Sequence, residues 1–577
     1  AGYTASMSNV MNSADREPLG FRTDLSKARL KARLGSGVSL DLKGTRRQRN
    51  GDKAYGGPFG FSNVIEIMEP IRQVMNEGEA KLSYARNRLA IEAVAGLSAF
   101  QNRVDVLAWD NPRRAVNSPT AGSSFGGIDL YPDNRTLRGG LSASLNLKHR
   151  TNVLATVHVS ETTQDDAWME YTVNPAIVVP DSVAIEGTNT EGKIRTITQD
   201  YRVTTRPSPT WSGTLRFRRN EVENKTEAHH FGAQVAYDQS LRIGEVTSHP
   251  FGNTNTTFGG DVSVTPTPRI TVSGTAERVR VDRTFREIAR TDEDVLAAKI
   301  RVRPRAGLEL SGSYRHGDRT HDEFEYEDYQ DESGVFIEQP GLRRFDVADR
   351  VQNRATMGLG WSPTERVEIS GSFEYLRNEY GDEELADADT TQLGLLDESR
   401  HAASVEAMFH LSPKLDLSGG YGWGQIYTNQ RSRQSSSAAL STSDNDNWQA
   451  RLKDWFIYAN GTLEWRPVPD KWTFTGRYEF DRQPGIFRLT NRPGTSVDLP
   501  STKYRRQSVG AEGWYRVDRH FEIGGRWMWE EFTVRDFAAE DVPYVFPLTG
   551  STTAIFLGDS IRDYKAHQLG LAIRRSW

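Results

Sequence analysis

The chain has 577 residues, a formal net charge of -5, 26% charged and 36% hydrophobic residues, and no cysteine. That balance carries no basic nucleic-acid footprint, and it excludes disulfides, thiolate catalysis, iron–sulfur ligation and CxxCH haem attachment within this chain. A mean hydropathy of -0.62, with no run of about 18 apolar residues, excludes a helical membrane protein.

Taken in order, residues 1–19 are polar and irregular and read as a periplasmic N-terminal tail. Phe21 to Leu34 and Val38 to Lys43 are the first strand candidates, joined by Gly35-Ser36-Gly37. Val64 to Glu79 is ambiguous between a strand pair and a short helix. From Leu89 the alternation is regular: Leu89, Ile91, Ala93, Ala95, Leu97 and Ala99 share one face. An irregular stretch, 101–135, follows. Leu137 to Ser160 then reads as a long hairpin. Leu137, Gly139, Leu141, Ala143, Leu145 and Leu147 fall on one face, and Arg138, Gly140, Ser142, Ser144, Asn146 and Lys148 on the other. Only a β-strand has that period of two. Each arm is roughly ten residues, the length of a tilted strand that crosses a bilayer.

The same unit recurs. Val264-Thr-Pro-Thr-Pro-Arg269 leads to Ile270-Thr-Val-Ser-Gly274, Trp361-Ser-Pro-Thr-Glu-Arg366 to Val367-Glu-Ile-Ser-Gly371, and Trp465-Arg-Pro-Val-Pro-Asp470 to Trp472-Thr-Phe-Thr-Gly476. Proline cannot donate to a ladder, so it marks the short turns. The opposite ends carry long loops, at about 161–192, 317–352, 382–398, 430–452, 483–500 and 538–562. Short turns on one side and long loops on the other is the asymmetry of an outer-membrane barrel, with the short turns periplasmic. The expected fold is all-β: one large transmembrane antiparallel up-and-down β-barrel over residues 20–577, about 24–26 strands, with no plug domain. Even parity would put both termini in the periplasm. In the last strand, Tyr564 to Trp577, the residues Leu569, Leu571 and Ile573 share a face with terminal Trp577, a pattern similar to the assembly signal of bacterial outer-membrane proteins.

No chemistry-bearing motif emerges. His229-His230 is the one adjacent histidine pair, and neighbouring strand residues point to opposite faces. The acidic runs 321–332 and 382–389 offer carboxylates that could bind calcium, but without EF-hand spacing they read as solvated charge. No GxSxG or paired-carboxylate site stands out, so no enzyme activity, metal site or cofactor is expected in this chain. A barrel this wide cannot be filled by its own side chains. Either its loops fold inward or another protein occupies it. Charged strand residues such as Arg138, Lys148, Arg216, Arg218, Arg301, Arg303 and Arg477 suit water or a protein rather than lipid.

The flanks of the Leu137–Ser160 hairpin sharpen this. Phe100-Gln-Asn102, Leu107-Ala-Trp-Asp-Asn-Pro112 and Gly127-Ile-Asp-Leu-Tyr-Pro-Asp-Asn134 precede it, and Thr163-Gln-Asp-Asp-Ala-Trp168 follows. Together with Tyr564, His567, Gly570 and Leu571 of the last strand, these segments resemble the decahaem-associated outer-membrane barrels of the MtrB/PioB family. Asn111, Pro112, Pro132, Asp133, Asn134, Thr163 and Gln164 are the motif positions. The resemblance implies a barrel of about 26 strands that sheathes a periplasmic multihaem c-type cytochrome, with haem c in that partner and none in the barrel. It also implies that an extracellular multihaem cytochrome can dock on the outer face. The Cys-x-x-Cys near the N-terminus of some members is absent here. The reading is a porin-like sheath that houses and insulates a multihaem cytochrome for extracellular electron transfer. The alternative is a wide-bore porin or a polysaccharide or solute export channel without a haem partner.

Overall fold

The period-two runs assemble into one meandering sheet. The computed structural model describes residues 19–59, 63–111, 114–185, 187–236, 238–330, 336–381, 391–433, 440–491, 495–536, 545–547, 553–555 and 563–575. Among them is a 25-stranded sheet, with two separate two-stranded ribbons. Four of the 25 strands are only 2–4 residues long; the other 21 span 12–24 residues, beyond the roughly 9–11 a bilayer needs. Each long strand pairs antiparallel with the long strand before it, as in an up-and-down barrel. The pattern continues to the C-terminal strand.

The strands form because alternation lets one face be apolar while every backbone polar group enters a ladder, which is the requirement inside lipid. The hairpin Asn134–Asn146/Asn152–Gln164 shows the register. Leu141 faces Val157 and Leu145 faces Val153, while Ser142 faces Thr156 and Asn146 faces Asn152. The Asn152 amide locks the turn by donating to Ser144 Oγ and Asn146 Oδ1, both at 2.9 Å. The first short turn, Gly35-Ser36-Gly37, needs positive φ throughout (93°, 48° and 87°), which explains the two glycines.

Three features differ from the sequence reading. Val64–Glu79 is strand and not helix, but one strand rather than two: it lies within the 24-residue strand Asn63–Arg86, whose residues 63–84 pair with Val38–Phe59. The strands run past the membrane, so the connections are narrower than expected; the loop expected at 317–352, for example, spans 322–349. Parity also differs. With 21 long strands, Gly20 sits at the long-loop end and Arg575 at the short-turn end, rather than both at the short-turn end. Residues 1–18 of the expected tail lie outside the described residues.

The first strand, Gly20–Gly35, pairs only with Val38–Phe59, and the last, Tyr564–Arg575, only with Phe521–Arg535. Among the described residues the sheet is therefore open between these two strands, which run in the same direction.

Candidate functional site

Register carries the polar face of the Asn134–Asn146 strand to its neighbours, and ion pairs cross from strand to strand along it. Glu79 takes both Lys43 (2.7 Å) and Arg138 (3.0 Å). Arg218 meets Asp200 at 3.1 Å and Arg216 meets Glu277. Farther round, Glu293 takes Arg350 (2.9 Å), Glu374 takes Arg354 (2.5 Å), Glu512 takes Arg477 (3.5 Å) and Glu530 takes Arg506 (2.9 Å). Arg301 and Arg303 share Glu309. Each such half-exposed pair contributes at most about 1 kcal/mol; together they make a polar wall of fixed charges. Lys148, grouped with these cations in the sequence, lies instead in the turn Lys148–Arg150.

The opposite face is apolar and bare. Leu569, Leu571 and Ile573 are 81%, 95% and 71% exposed, and Leu137, Leu141 and Leu145 are exposed as well. Trp577, expected to share their face, lies outside the described residues.

On the polar wall, Gly422 and Gly424 of the strand Leu415–Arg433 face Tyr458 and Phe456 of Asn447–Trp465. A Cβ at either glycine would overlap the opposing ring. The rings lie down along the wall because the glycines leave room, and the Arg400 guanidinium sits 5.9 Å from the Phe456 centroid.

At the long-loop end two groups of loops fold onto this same polar face. In the first, the ribbon Val106–Asp110/Phe125–Asp129 brings buried Leu107 and Trp109 against the extension of the Val38–Phe59/Asn63–Arg86 hairpin. Trp109 packs on Gly57 and tilts against Tyr55, with centroids 6.4 Å apart. Gly57, Tyr55, Lys53 and Glu69 have the same strand parity as Lys43 and Glu79, and Lys53 pairs with buried Glu69 at 3.1 Å. Later loops stack on this layer. The buried Asn174 amide donates to the carbonyls of Ser118 (3.0 Å) and Asp238 (2.8 Å), and Trp168 meets His229 and Phe231 edge-on.

In the second group, buried Arg319 donates from the polar face to the carbonyls of Phe345 (2.7 Å), Asp346 (3.3 Å) and Ala348 (2.9 Å). The acidic run expected to be solvated is thus partly a core: Phe324 and Tyr329 are buried with Ile288 and Val347. The Arg343 guanidinium lies 3.7 Å from the Phe324 centroid. Burial raises the Tyr329 pKa to about 12. Burial also pushes the Glu287 carboxyl up, but hydrogen bonds from Arg286 and Arg344 outweigh it and hold the group below its usual range. Leu342–Arg343 pairs with Leu393–Gly394, and Gln339 donates to the Ser441 carbonyl, tying in two further loops.

The motif residues anchor the first group of loops. Asn111 is buried and closes the ribbon by donating its side chain to the Ser123 carbonyl and its backbone to the Ser124 carbonyl, each at 2.8 Å. Asp133 accepts from the Asn102 backbone at 2.6 Å and donates its own N–H to Asp166, which ties the exit of one strand to the loop beyond the next hairpin. Asn134 donates to the Pro132 carbonyl at 3.3 Å. Thr163 pairs with Arg135 and Lys193, and Gln164 Oε1 accepts from Thr190 at 2.5 Å. Pro112 lies outside the described residues.

Asn174, Arg319 and Glu287 had no motif to mark them, and Trp109 lay inside the segment Leu107–Pro112 without being singled out. Aromatics spaced through the 321–332 acidic run were the available signal for the second loop group. The His229-His230 pair divides as expected: His229 Nε2 lies 3.0 Å from the Thr190 carbonyl and His230 Nδ1 lies 2.9 Å from Glu245. Among the described residues no group of three or more His, Cys, Asp or Glu is arranged to hold a metal ion. The second acidic run, at 382–389, lies outside them.

Comparison with known proteins follows the same lines. A family model described as an outer membrane beta-barrel porin, MtrB/PioB, matches residues 2–577. Outer membrane protein MtrB of Shewanella baltica (strain OS185) is 20% identical over 580 aligned residues, covering 99% of this chain and 77% of that protein. Among solved structures, the outer membrane transporter YddB from Escherichia coli aligns with TM-score 0.50 at 9% identity, covering 96% of this chain and 75% of that one. The ferric enterobactin receptor PfeA of Pseudomonas aeruginosa aligns with TM-score 0.49 at 12% identity, covering 96% and 78%. The structural likeness concerns the β-barrel fold alone.

Proposed function

Because this chain belongs to the MtrB/PioB family of outer-membrane β-barrel porins, we propose that in the Gram-negative outer membrane it is the sheath of a transmembrane electron conduit. In this reading it houses a multihaem c-type cytochrome that enters from the periplasm. The haem groups belong to that partner; the barrel positions and insulates them.

The observation that carries this reading is the asymmetry of the polar wall. At one end the strands meet in short turns such as Gly35-Ser36-Gly37 and Asn87-Arg88. At the other, two sets of loops fold onto the polar face through Trp109 and Arg319. With adjacent strands about 4.8 Å apart and tilted by roughly 40°, 21 strands curled into a ring span roughly 40 Å between backbones. That bore admits an elongated folded protein from the short-turn side and narrows where the protein would meet the exterior. The charged wall, ion-paired over most of its width, suits water or a polar protein surface rather than lipid.

Purification from native membranes in mild detergent tests the proposal. The barrel should retain a haem-staining c-type cytochrome, and proteoliposomes of the complex should pass electrons from an external reductant to an enclosed acceptor. A haem-free monomer from native membranes would overturn it. Large, steady ion conductance of that monomer in planar bilayers would favour the diffusion-porin alternative instead.

A further inference from the structure

The polar wall is not evenly compensated. On the first two strands, register puts Lys27, Arg29, Lys31 and Arg33 on this face together with Lys43, Arg47 and Arg49, against one carboxylate, Asp41. Arg29 pairs with Asp41, and Lys43 pairs with Glu79 at 2.7 Å. The Arg49 guanidinium lies 5.6 Å from the Phe21 ring centroid. Lys27, Lys31, Arg33 and Arg47 form no ion pair among the described residues, unlike the arginines farther round the wall.

Alternate residues of one strand stand about 6.6–7 Å apart, so the four cations from Lys27 to Arg33 repel one another unless something anionic faces them. The sheet supplies too little of it. Asp41, opposite Lys31, is taken by Arg29, and Glu79 of the third strand is shared by Lys43 and Arg138. Glu77, opposite Thr45 on the same face, is a single further carboxylate and forms no ion pair with Lys27, Lys31, Arg33 or Arg47 among the described residues. The polar face of the last strand, at the other side of the opening, carries Tyr564, Ala566, Gln568, Gly570, Ala572 and Arg574, with no carboxylate.

We propose that this stripe is the docking surface for a carboxylate-rich face of the protein housed in the lumen. It fixes the rotational setting of that protein about the barrel axis. The proposal rests on the sheath reading above for the identity of the occupant. The charge complementarity itself does not: any polyanionic protein surface on the axis is drawn to this side. Because the stripe is half-solvated, the attraction is screened by salt.

Poly-glutamate peptide is the probe. Added to the short-turn side of the purified barrel in a planar bilayer, it should reduce the conductance at low salt, and the block should fade as salt is raised. The quadruple variant K27Q/K31Q/R33Q/R47Q should weaken that block by about tenfold, as expected for four modest pairwise terms. Poly-lysine should not block. Heat-modifiable gel migration of the variant confirms that it has folded, and R477Q, whose arginine is paired with Glu512, serves as the comparison. Equal block of wild type and quadruple variant overturns the proposal. Cytochrome retention is read separately. Wild type without cytochrome but with charge-dependent block defeats only the sheath reading. Wild type and quadruple variant that hold cytochrome equally through a salt wash defeat only this inference.

Discussion

Trp109 lies flat against Gly57: a Cβ on that glycine would come within 2.8–3.1 Å of three indole atoms. Together with Tyr55 against the same indole and Lys53 donating to Tyr131 Oη at 3.0 Å, this contact joins the first long loop to the extension of the second strand, on the polar side of the sheet. Trp109→Ala should therefore release the ribbon 106–129. Loss of a buried tryptophan costs about 3–5 kcal/mol. Amide exchange in 106–129 should speed up while the strand Leu89–Asn102 stays protected, and Gly57→Val should do the same from the other side. Unchanged exchange in both variants would remove this contact as the anchor.

The second loop group should respond to acid. Glu287 is fully buried between Arg286 and Arg344, and its pKa lies below the ordinary carboxylate value. A lowered folded-state pKa stabilises the docked loop above the unfolded value of about 4.5 and ceases to do so as pH falls through the folded value. Limited proteolysis of 322–349 should stay slow at pH 7 and accelerate only below about pH 4. Glu287→Gln removes the buried carboxylate that both arginines share, leaving Arg286 to Asp346 and Arg344 to Glu338; it should cost about 1–3 kcal/mol at pH 7, with the difference from wild type vanishing in acid. A Glu287→Gln loop as resistant as wild type at pH 7 would contradict this.

Gly422→Ala should push the Tyr458 ring off the wall. Overpacking of this kind costs about 1–3 kcal/mol, but here the ring has open space to turn into. The expected result is a folded barrel with a narrower bore, read as lower single-channel conductance. A variant with wild-type conductance and stability would show that the ring is not held by the glycine.

Leu571→Lys places a cation on the barest apolar position of the last strand. Lysine near the bilayer midplane costs about 2–4 kcal/mol on a lipid-facing strand. Membrane insertion should fall, with protein accumulating as the unfolded gel species, whereas Gln568→Lys on the other face should insert normally. Equal insertion of the two would place Leu571 away from lipid.

Single cysteines report the faces directly, since the native chain has none. Cysteines at Leu141 and Leu145 should react with a lipid-partitioning maleimide. Those at Ser142 and Ser144 should react with a membrane-impermeant one. The reverse pattern would sink the register.

Period-two alternation made the strands legible wherever one face was uniformly apolar, as in Leu89–Asn102 and Asn134–Asn146. It failed at Val64–Glu79, where Ile65, Ile67 and Ile71 are apolar on the face that carries Glu77 and Glu79 lower down. The reason is a change of surroundings. Above the membrane the polar face of that hairpin is covered by the Trp109 ribbon, so apolar residues move to it. Loop cores escaped for a similar reason: Phe324 and Tyr329 sit among acids that face water, and only their partners Ile288 and Val347, far off in sequence, reveal the cluster. Strand parity depended on counting every crossing, and an error of one reverses an end. The motif positions were found through family resemblance; their physical task, fastening loops at Asn111 and Asp133, needed coordinates.

The paired wall has an electrical consequence. Arginines held against carboxylates on neighbouring strands, as Arg350 is against Glu293 and Arg506 against Glu530, have little freedom to reorient. Water and loose side chains answer a moving charge by turning toward it, and that response must be undone at every step. Clamped dipoles answer far less. A charge travelling along this axis, whether an ion or an electron, meets a potential that is already set, so the lining can be thoroughly polar and still contribute little reorganisation energy.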